Sequence, residues 1–239
     1  MFVAVSVQRR LEAAPVLRAL PPPVLTRLAS AAVGHALPRG AAAYREGEPA
    51  EYLYVVRSGT VKLSVMGSDG REAVSALVGP DEVFGEAPEG VRSHDARAVE
   101  PSRLFALPLA ELRDEAAYAS LLHARLARTT QTLHAMTLGN THGRTAARLI
   151  ELAEHQGRQV DEGTLIGVRV TQEDLARMIG STRETANKVL AHFDRRGWIR
   201  RHGRRLVITD AIALGELAEE CGIRWLGSSR PAHPIRVAR

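Results

Sequence analysis

The chain has 239 residues, of which 45% are hydrophobic and 25% are charged, so it can bury ordinary cores and suggests one or two domains. No segment approaches the roughly 20 apolar residues that a membrane-spanning helix needs, and the start lacks the charge pattern of a secretory signal. We therefore expect a cytoplasmic protein. The single cysteine, Cys221, excludes an internal disulfide, a zinc finger and an iron–sulfur cluster held by cysteines.

The formal net charge of +5 is concentrated in one part of the chain. Residues 172–205 carry nine Lys and Arg residues against four Asp and Glu residues, which accounts for the whole excess. A local basic excess of this kind is typical of a module that contacts a polyanion such as DNA.

Short elements are predicted for the first hundred residues. Five leucines around the break Pro21-Pro22-Pro23 predict short helices over residues 9–33. From Leu37 to Leu107, recurring glycines separate short apolar runs, which predicts an antiparallel β-barrel or roll. In one of these runs Val61, Leu63 and Val65 alternate with Lys62 and Ser64, so we expect one buried face and one solvated face.

A long helix is predicted next, from about Leu109 to Leu138. Its apolar positions recur every three or four residues, as in the seam of a coiled coil. We expect two copies of this helix to pair around a two-fold axis. Such a dimer would hold two DNA-binding modules, so its DNA target should be a palindrome with half-sites about 34 Å apart. The alternative is a core helix that lies on the barrel. The seam residues are Ala119, Leu122, Leu126, Thr129, Leu133 and Met136.

The final hundred residues begin after a hinge at Gly139-Asn140. We predict a helix over residues 144–155, a polar connection over residues 156–167, and a last helix that Asp210 caps and that ends near Glu220. Residues 227–239 are predicted to form a flexible basic tail. The domain prediction is residues 1–108 for the roll, 109–139 for the dimer helix and hinge, and 140–239 for the remainder.

Residues 170–192 predict two short helices joined by a tight turn. Thr171 is a suitable N-cap for the first helix, and Ser181 with Glu184 forms the pattern of a capping box for the second. Gly180 suits the turn, and the small Ala176 allows close approach of the helices. These features predict a helix-turn-helix, with Leu175, Ile179, Ala186, Val189 and Leu190 on its inward faces.

The outward face of the second helix carries side chains that can read base edges. A small β-hairpin is predicted over residues 198–208, and it resembles the wing of a winged helix, with arginines placed to meet phosphates. A solvated charged face is the alternative interpretation. The candidate DNA-binding residues are Thr171, Thr182, Arg183, Glu184, Asn187, Lys188, Arg200, Arg201, Arg204 and Arg205.

The order of these parts gives an α+β chain: an N-terminal antiparallel β-roll of the jelly-roll type, a long dimerisation helix and a C-terminal winged helix-turn-helix. With the segments REGEPAEYLYVVRSGTVKL, FGE followed by RSHDARA, THGRTAARL and TRETANKVL, the chain resembles the Crp/Fnr family of bacterial transcription regulators along nearly its whole length. The resemblance implies a homodimeric DNA-binding regulator, not an enzyme, with RNA polymerase as a partner and no metal.

The resemblance also implies a ligand site. In cyclic-nucleotide-binding members, a Gly-Glu pair and a later Arg-Ser pair form a phosphate cassette, and two dimer-helix positions touch the purine. Cyclic AMP or another cyclic nucleotide would then control DNA binding allosterically. At the DNA, the resemblance implies a half-site similar to TGTGA. The residues that match the ligand site are Gly85, Glu86, Arg92, Ser93, Thr129 and Thr130.

Two departures from the family pattern bear on the ligand. The spacing from Glu86 to Arg92 is shorter than in cyclic-AMP-binding members, and His94-Asp95 replaces small or apolar residues. An inward Asp95 would repel a phosphate. The structural alternative is an ion pair of Glu86 with Arg92 or with Arg125 in a roll without ligand.

Three other functions stay open. The chain could be a regulator of the same family that binds DNA without any nucleotide. A haem sensor would need His94 or His35 as its ligand. A cupin-like metalloenzyme is a remote alternative, because residues 34–108 hold only those two histidines.

Overall fold

The computed structural model describes residues 2–86, 90–112, 115–203 and 205–223. It divides the chain into two compact units, Met1–Arg128 and Thr129–Arg239. Arg204 and the predicted basic tail lie outside the described residues, and the predicted domain boundaries stay predictions.

Two short helices open the first unit, and the first begins before residue 9, where the prediction placed its start. Helix α1 spans Phe2–Ala13, a 3-10 turn spans Leu17–Ala19, and α2 spans Pro22–Ala31. Proline fits the start of α2 because its fixed φ suits the first helical turn. The five predicted leucines are buried in one cluster with residues from the strands that follow: Leu11, Leu17, Leu20, Leu25 and Leu28.

Eight antiparallel strands follow among the described residues, and they form two four-stranded sheets. The strand orders are β1-β8-β3-β6 and β2-β7-β4-β5. Side chains of both sheets meet in one core, and this confirms the predicted antiparallel roll. The strands are β1 (Val33–Leu37), β2 (Ala42–Tyr44), β3 (Tyr52–Ser58), β4 (Val61–Met66), β5 (Glu72–Val78), β6 (Val83–Phe84), β7 (Asp95–Ala98) and β8 (Ser102–Pro108).

The alternation predicted for β4 is wrong in its second half. Val61 and Leu63 are buried, but Ser64 is also buried and Val65 is 38% exposed. The pairing of β4 with β5 shifts register between Leu63 and Ser64. The extra residue of this bulge is Ser75 of β5, because Leu63 pairs with Ala76 and Ser64 pairs with Val74. The alternation of β4 therefore ends where the ladder to β5 is irregular.

The long helix starts later than predicted. A 3-10 turn spans Leu109–Glu111, and the helix itself, α3, spans Glu115–Leu138. Leu112 has non-helical backbone angles and is buried in the core cluster beneath α2, which breaks the helical path. Three large hydrophobic side chains of the predicted seam are solvent-exposed in the single chain, namely Leu126 at 65%, Leu133 at 62% and Met136 at 38%.

In its described part, the second unit combines helices α4 to α7 with an antiparallel sheet of order β11-β12-β10-β9. Asn140 caps α4 by accepting a hydrogen bond from the Gly143 amide, and Asp210 caps α7 as predicted. Beyond residues 129–138 of α3, the elements are α4 (Thr141–Gln156), β9 (Gly157–Val160), β10 (Gly163–Ile166), α5 (Gln172–Met178), α6 (Arg183–Arg195), β11 (Ile199–His202), β12 (Arg205–Ile208) and α7 (Ala211–Glu220).

The predicted polar connection over residues 156–167 is instead the β9–β10 hairpin. Strand β10 pairs with β12, which places Leu165 and Ile166 in the core. Strand β9 is almost entirely solvated, so it shows no apolar alternation by which sequence could reveal it. Among the described residues, no helix is long and apolar enough to cross a bilayer.

Candidate DNA interface and candidate ligand site

The turn between α5 and α6 has a precise backbone arrangement. Gly180 has a φ of +60°, and the Ser181 amide donates to the Ala176 carbonyl at 2.9 Å. This pattern is a Schellman motif, in which glycine adopts the left-handed conformation after a helix end. The turn positions α6 after α5, as the helix-turn-helix prediction requires.

The predicted capping box at Ser181 is wrong by one residue. Thr182 is the N-cap of α6, and its hydroxyl accepts from the Thr185 amide at 3.2 Å. Ser181 cannot cap α6 because its backbone closes the end of α5. The five predicted inward side chains are all buried, and they fix α6 against α5 and the sheet.

The predicted outward side chains of α6 are all exposed. Lys188 and Glu184 pair across one helical turn at 2.7 Å, and the hydrogen bond from Lys188 lowers the pKa of the Glu184 carboxyl. The Asn187 amide oxygen accepts from Gln172 at 2.7 Å and from Arg201 at 3.4 Å. Arg183 and Thr182 complete this face. Their contacts with DNA stay predictions.

The predicted hairpin is present as β11 and β12. Arg200 and Arg201 are exposed, Arg205 is half-buried, and Arg200 lies 3.9 Å from the Glu162 carboxylate.

Thr171 caps α5, where it accepts from the Asp174 amide and donates to the Asp174 carboxylate.

A cleft of about 350 Å³ lies between the wing and the start of α5. Its floor is apolar, and its rim adds two polar residues that the sequence reasoning missed, Arg169 and Gln172. Both lie outside the recognition helix and the hairpin turn, so neither belongs to a sequence motif that predicts DNA contact. A cleft with arginines on its rim can hold the phosphates of a DNA strand.

The predicted phosphate cassette centres on a buried guanidinium group. Arg92 is 3% exposed, donates to the carbonyls of Gly85 at 2.5 Å and Tyr52 at 2.7 Å, and lies 4.1 Å from the centre of the Tyr44 ring. Gly85 has a φ of +95°, and a Cβ there would come within 2.9 Å of the Arg92 guanidinium. Glycine is therefore required both by conformation and by space.

The guanidinium of Arg92 donates to backbone carbonyls rather than to the Glu86 carboxylate, which the alternative interpretation had paired with it. The buried Arg92 charge is met by neutral partners, and its Nε has no hydrogen-bond partner. A buried charge without a counter-charge is costly, and guanidinium is well suited to phosphate. These residues therefore fit an anion such as a cyclic phosphate.

The two residues that depart from the family pattern have defined roles. His94 is buried, and its ring nitrogens contact the Tyr44 hydroxyl at 2.8 Å and the Ser93 hydroxyl at 3.1 Å. Asp95 accepts from the Glu46 amide and pairs with Arg97 at 3.1 Å. Because Ala96 is the core-facing residue here, the Asp95 carboxylate does not face the interior of the roll.

Burial shapes the acid–base state of this cluster. Burial, together with the nearby guanidinium groups of Arg125 and Arg92, lowers the pKa of His94 to about 4. Burial also raises the pKa of the Tyr44 hydroxyl. His94 is therefore neutral at neutral pH, with one donor and one acceptor nitrogen.

The other predicted ligand residues, Thr129 and Thr130, are exposed and belong to the second unit. Their assignment stays a prediction. Both ring nitrogens of His94 contact hydroxyl groups in this structure, and a role of His94 or His35 as a haem ligand stays a prediction. The described residues contain no group of three or more side chains able to hold a metal ion.

Comparison with known proteins identifies both regions. Residues 35–118 match the family profile of the cyclic nucleotide-binding domain, and residues 143–217 match that of the Crp-like helix-turn-helix domain.

Relatives match most of the chain. The CRP-like cAMP-activated global transcriptional regulator of Mycobacterium tuberculosis is 34% identical over 192 residues, which cover 76% of this chain and 86% of that protein. The cyclic AMP receptor protein of Thermus thermophilus is 33% identical over 192 residues, with the same coverage of 76% and 86%. The crystal structure of another CRP-family regulator from Thermus thermophilus superposes with a TM-score of 0.65 at 28% identity, covering 77% of this chain and 96% of that chain.

Proposed function

Because the chain belongs to the Crp/Fnr family of bacterial transcription regulators, we propose that this DNA-binding regulator acts as a homodimer whose DNA affinity is controlled by a cyclic nucleotide in the β-roll. The observation that carries the ligand proposal is the buried guanidinium of Arg92, which has neutral partners and an unbonded Nε. An anionic ligand would supply the missing counter-charge.

The chain's own residues divide the binding task. Gly85 lets the backbone approach closely, Arg92 supplies charge, and the exposed Ser93 hydroxyl can donate to a phosphate oxygen. The Glu86 carboxylate can accept from a ribose hydroxyl. The outward placement of Asp95 removes the repulsion that an inward carboxylate would cause. Cyclic AMP is the first ligand to test, because the Mycobacterium tuberculosis relative is a cAMP-activated regulator.

The exposed seam of α3 supports the homodimer. Leu126 and Leu133 leave most of their surface to solvent in the single chain, and a second copy of the helix would cover them. A two-fold dimer would present two α6 helices to a palindromic site with half-sites similar to TGTGA. RNA polymerase is the expected protein partner, and the cytoplasm, where bacterial DNA is found, is the expected location.

The test is fluorescence anisotropy of the full chain on a labelled TGTGA palindrome, with and without cyclic AMP, at one fixed salt concentration. We expect cyclic AMP to tighten binding at least tenfold, which corresponds to about 1.4 kcal/mol of coupling. The Arg92→Gln variant should lose the response to cyclic AMP, while its DNA affinity in the absence of nucleotide should equal that of the unmodified chain.

A matched control is Arg97→Gln, because Arg97 lies in β7, five residues after Arg92, and pairs with Asp95 outside the core. It should keep the response to cyclic AMP. Equally tight binding by the unmodified chain with and without cyclic AMP would contradict nucleotide control and favour a regulator that binds DNA without a ligand.

A further inference from the structure

We infer that Asn187 is a specificity-determining residue that offers base edges only its amide N–H groups and therefore selects guanine over adenine. This inference rests on the proposed reading of DNA by α6 and deepens it. Asn187 lies on the exposed face of α6, three residues after Glu184 and next to Lys188.

The amide oxygen of Asn187 is already occupied. It accepts from Gln172 Nε2 at 2.7 Å and from an Arg201 guanidinium nitrogen at 3.4 Å. Gln172 belongs to the first turn of α5, and Arg201 belongs to the wing strand β11. The side chain of Asn187 therefore links all three DNA-facing elements of the unit before any DNA is bound.

The orientation of this amide is fixed by chemistry. If the Asn187 amide were turned by 180°, its NH₂ group would face both neighbours. Gln172 could turn as well and accept a hydrogen bond, but Arg201 has only donors. The turned arrangement would place two donors against each other, so the oxygen faces Arg201 and the NH₂ group faces away.

The free NH₂ group matches one base better than the others. Guanine presents two acceptors in the major groove, O6 and N7. Adenine presents an acceptor beside a donor, so a bidentate contact with Asn needs the amide oxygen as well as the NH₂ group. Because that oxygen is held by Gln172 and Arg201, the adenine contact would cost two existing hydrogen bonds. The guanine contact costs none.

The test is selection of binding sites from randomised palindromes by the full chain, with and without cyclic AMP, followed by anisotropy on single-position variants of the selected site. The half-site position that Asn187 reads is the one whose preference disappears in the Asn187→Ala variant. There we expect the unmodified chain to bind guanine about tenfold more tightly than adenine, and Asn187→Ala to discriminate less than about twofold.

Two further variants test the orientation. Asn187→Asp keeps the shape but replaces the free NH₂ group by an oxygen, so the preference should move to cytosine, which offers a donor. The double variant Gln172→Ala with Arg201→Ala releases the amide oxygen of Asn187. The ratio of its affinities for the guanine and adenine sites should then fall towards one, even if overall affinity falls. As a control, Asp194→Asn alters an exposed side chain in the last turn of α6, and it should leave the guanine-to-adenine affinity ratio unchanged.

Two outcomes would overturn the inference. One is a preference for adenine at the position that Asn187 controls, and the other is unchanged base preference at every position in Asn187→Ala. If the unmodified chain enriches no sequence at all, the DNA-reading role of α6 fails first, and the inference fails with it.

Discussion

The hydroxyl of Tyr44 lies 2.8 Å from Nε2 of His94, inside the β-roll. Both side chains are buried, and each satisfies the polar group of the other. In the tautomer in which Tyr44 donates to Nε2, the Nδ1–H of His94 donates to the Ser93 hydroxyl, whose own proton then points to another acceptor. His94 thus orients one of the residues proposed to hold a phosphate.

The pKa of His94 predicts how stability depends on pH. Its value in the folded chain is about 4, below the ordinary 6.5, so the folded state binds fewer protons than the unfolded state between these values. The stabilising contribution is present above pH 6.5 and is lost as the pH falls towards 4. We expect a loss of about 1 kcal/mol between pH 6.5 and 5.5.

The measurement is urea unfolding of the full chain, followed by the near-ultraviolet signal of tyrosine. All four tyrosines belong to the first unit and both tryptophans to the second, so the two kinds of residue report the units separately. His94→Gln should flatten the pH dependence of the tyrosine signal. A variant with the same dependence as the unmodified chain would show that another group is responsible.

Gly85→Ala should destabilise the first unit. The substitution forces a φ of +95° on a residue with a Cβ, and it places that Cβ 2.9 Å from the Arg92 guanidinium. The expected cost is about 1–3 kcal/mol in the tyrosine-detected transition. Gly34→Ala is the matched control, because nothing lies within 4 Å of its added Cβ and its φ is not positive. Equal stability of the two variants would refute the requirement for glycine.

Removal of the cap hydroxyl should weaken the start of α6. Thr182→Ala deletes the oxygen that accepts from the Thr185 amide, so we expect a loss of about 1 kcal/mol in the tryptophan-detected transition. Ser181→Ala should change stability by less than about 0.5 kcal/mol. The opposite ranking would return the cap to Ser181, as the sequence pattern suggested.

A charge in the α3 seam should separate the proposed dimer. Leu126→Glu changes a side chain that is 65% exposed in the single chain, so each chain should keep its fold while the dimer dissociates. Light scattering after size-exclusion chromatography should show a species near 25.9 kDa for this variant and twice that mass for the unmodified chain.

Ala127→Glu is the matched control for the seam, since it introduces the same charge at an exposed neighbouring position outside the seam. It should remain dimeric. Identical masses for the two variants would place the dimer contact elsewhere or show that there is none.

The elements with strong periodicity or clear end signals could be predicted from the sequence. The leucines of the first helices, the inward side of the helix-turn-helix and the cap at Asp210 are examples. The errors arise where a neighbouring turn or strand overrides a local pattern. Ser181 matches a cap, but its amide is used by the Schellman turn. Val65 continues the alternation of β4, but that alternation ends where the pairing with β5 shifts register.

The candidate ligand site shows the same division. The family resemblance assigned Gly85 and Arg92 to one cassette, and the structure places them in contact. No sequence pattern could predict that the Tyr52 carbonyl and the Tyr44 ring would also hold Arg92, because these contacts come from other strands. Likewise, no pattern indicates that Gln172 and Arg201 bind the amide of Asn187.

The sheet of the second unit has a kinetic consequence. Strand β10 precedes the helix-turn-helix and pairs with β12, which follows it, so both helices lie within a loop that the sheet closes. The entropy of closing this loop must be overcome before the Leu165–Val207 register exists. We therefore expect α5, α6 and the wing to gain protection from hydrogen exchange together during refolding, as one cooperative step.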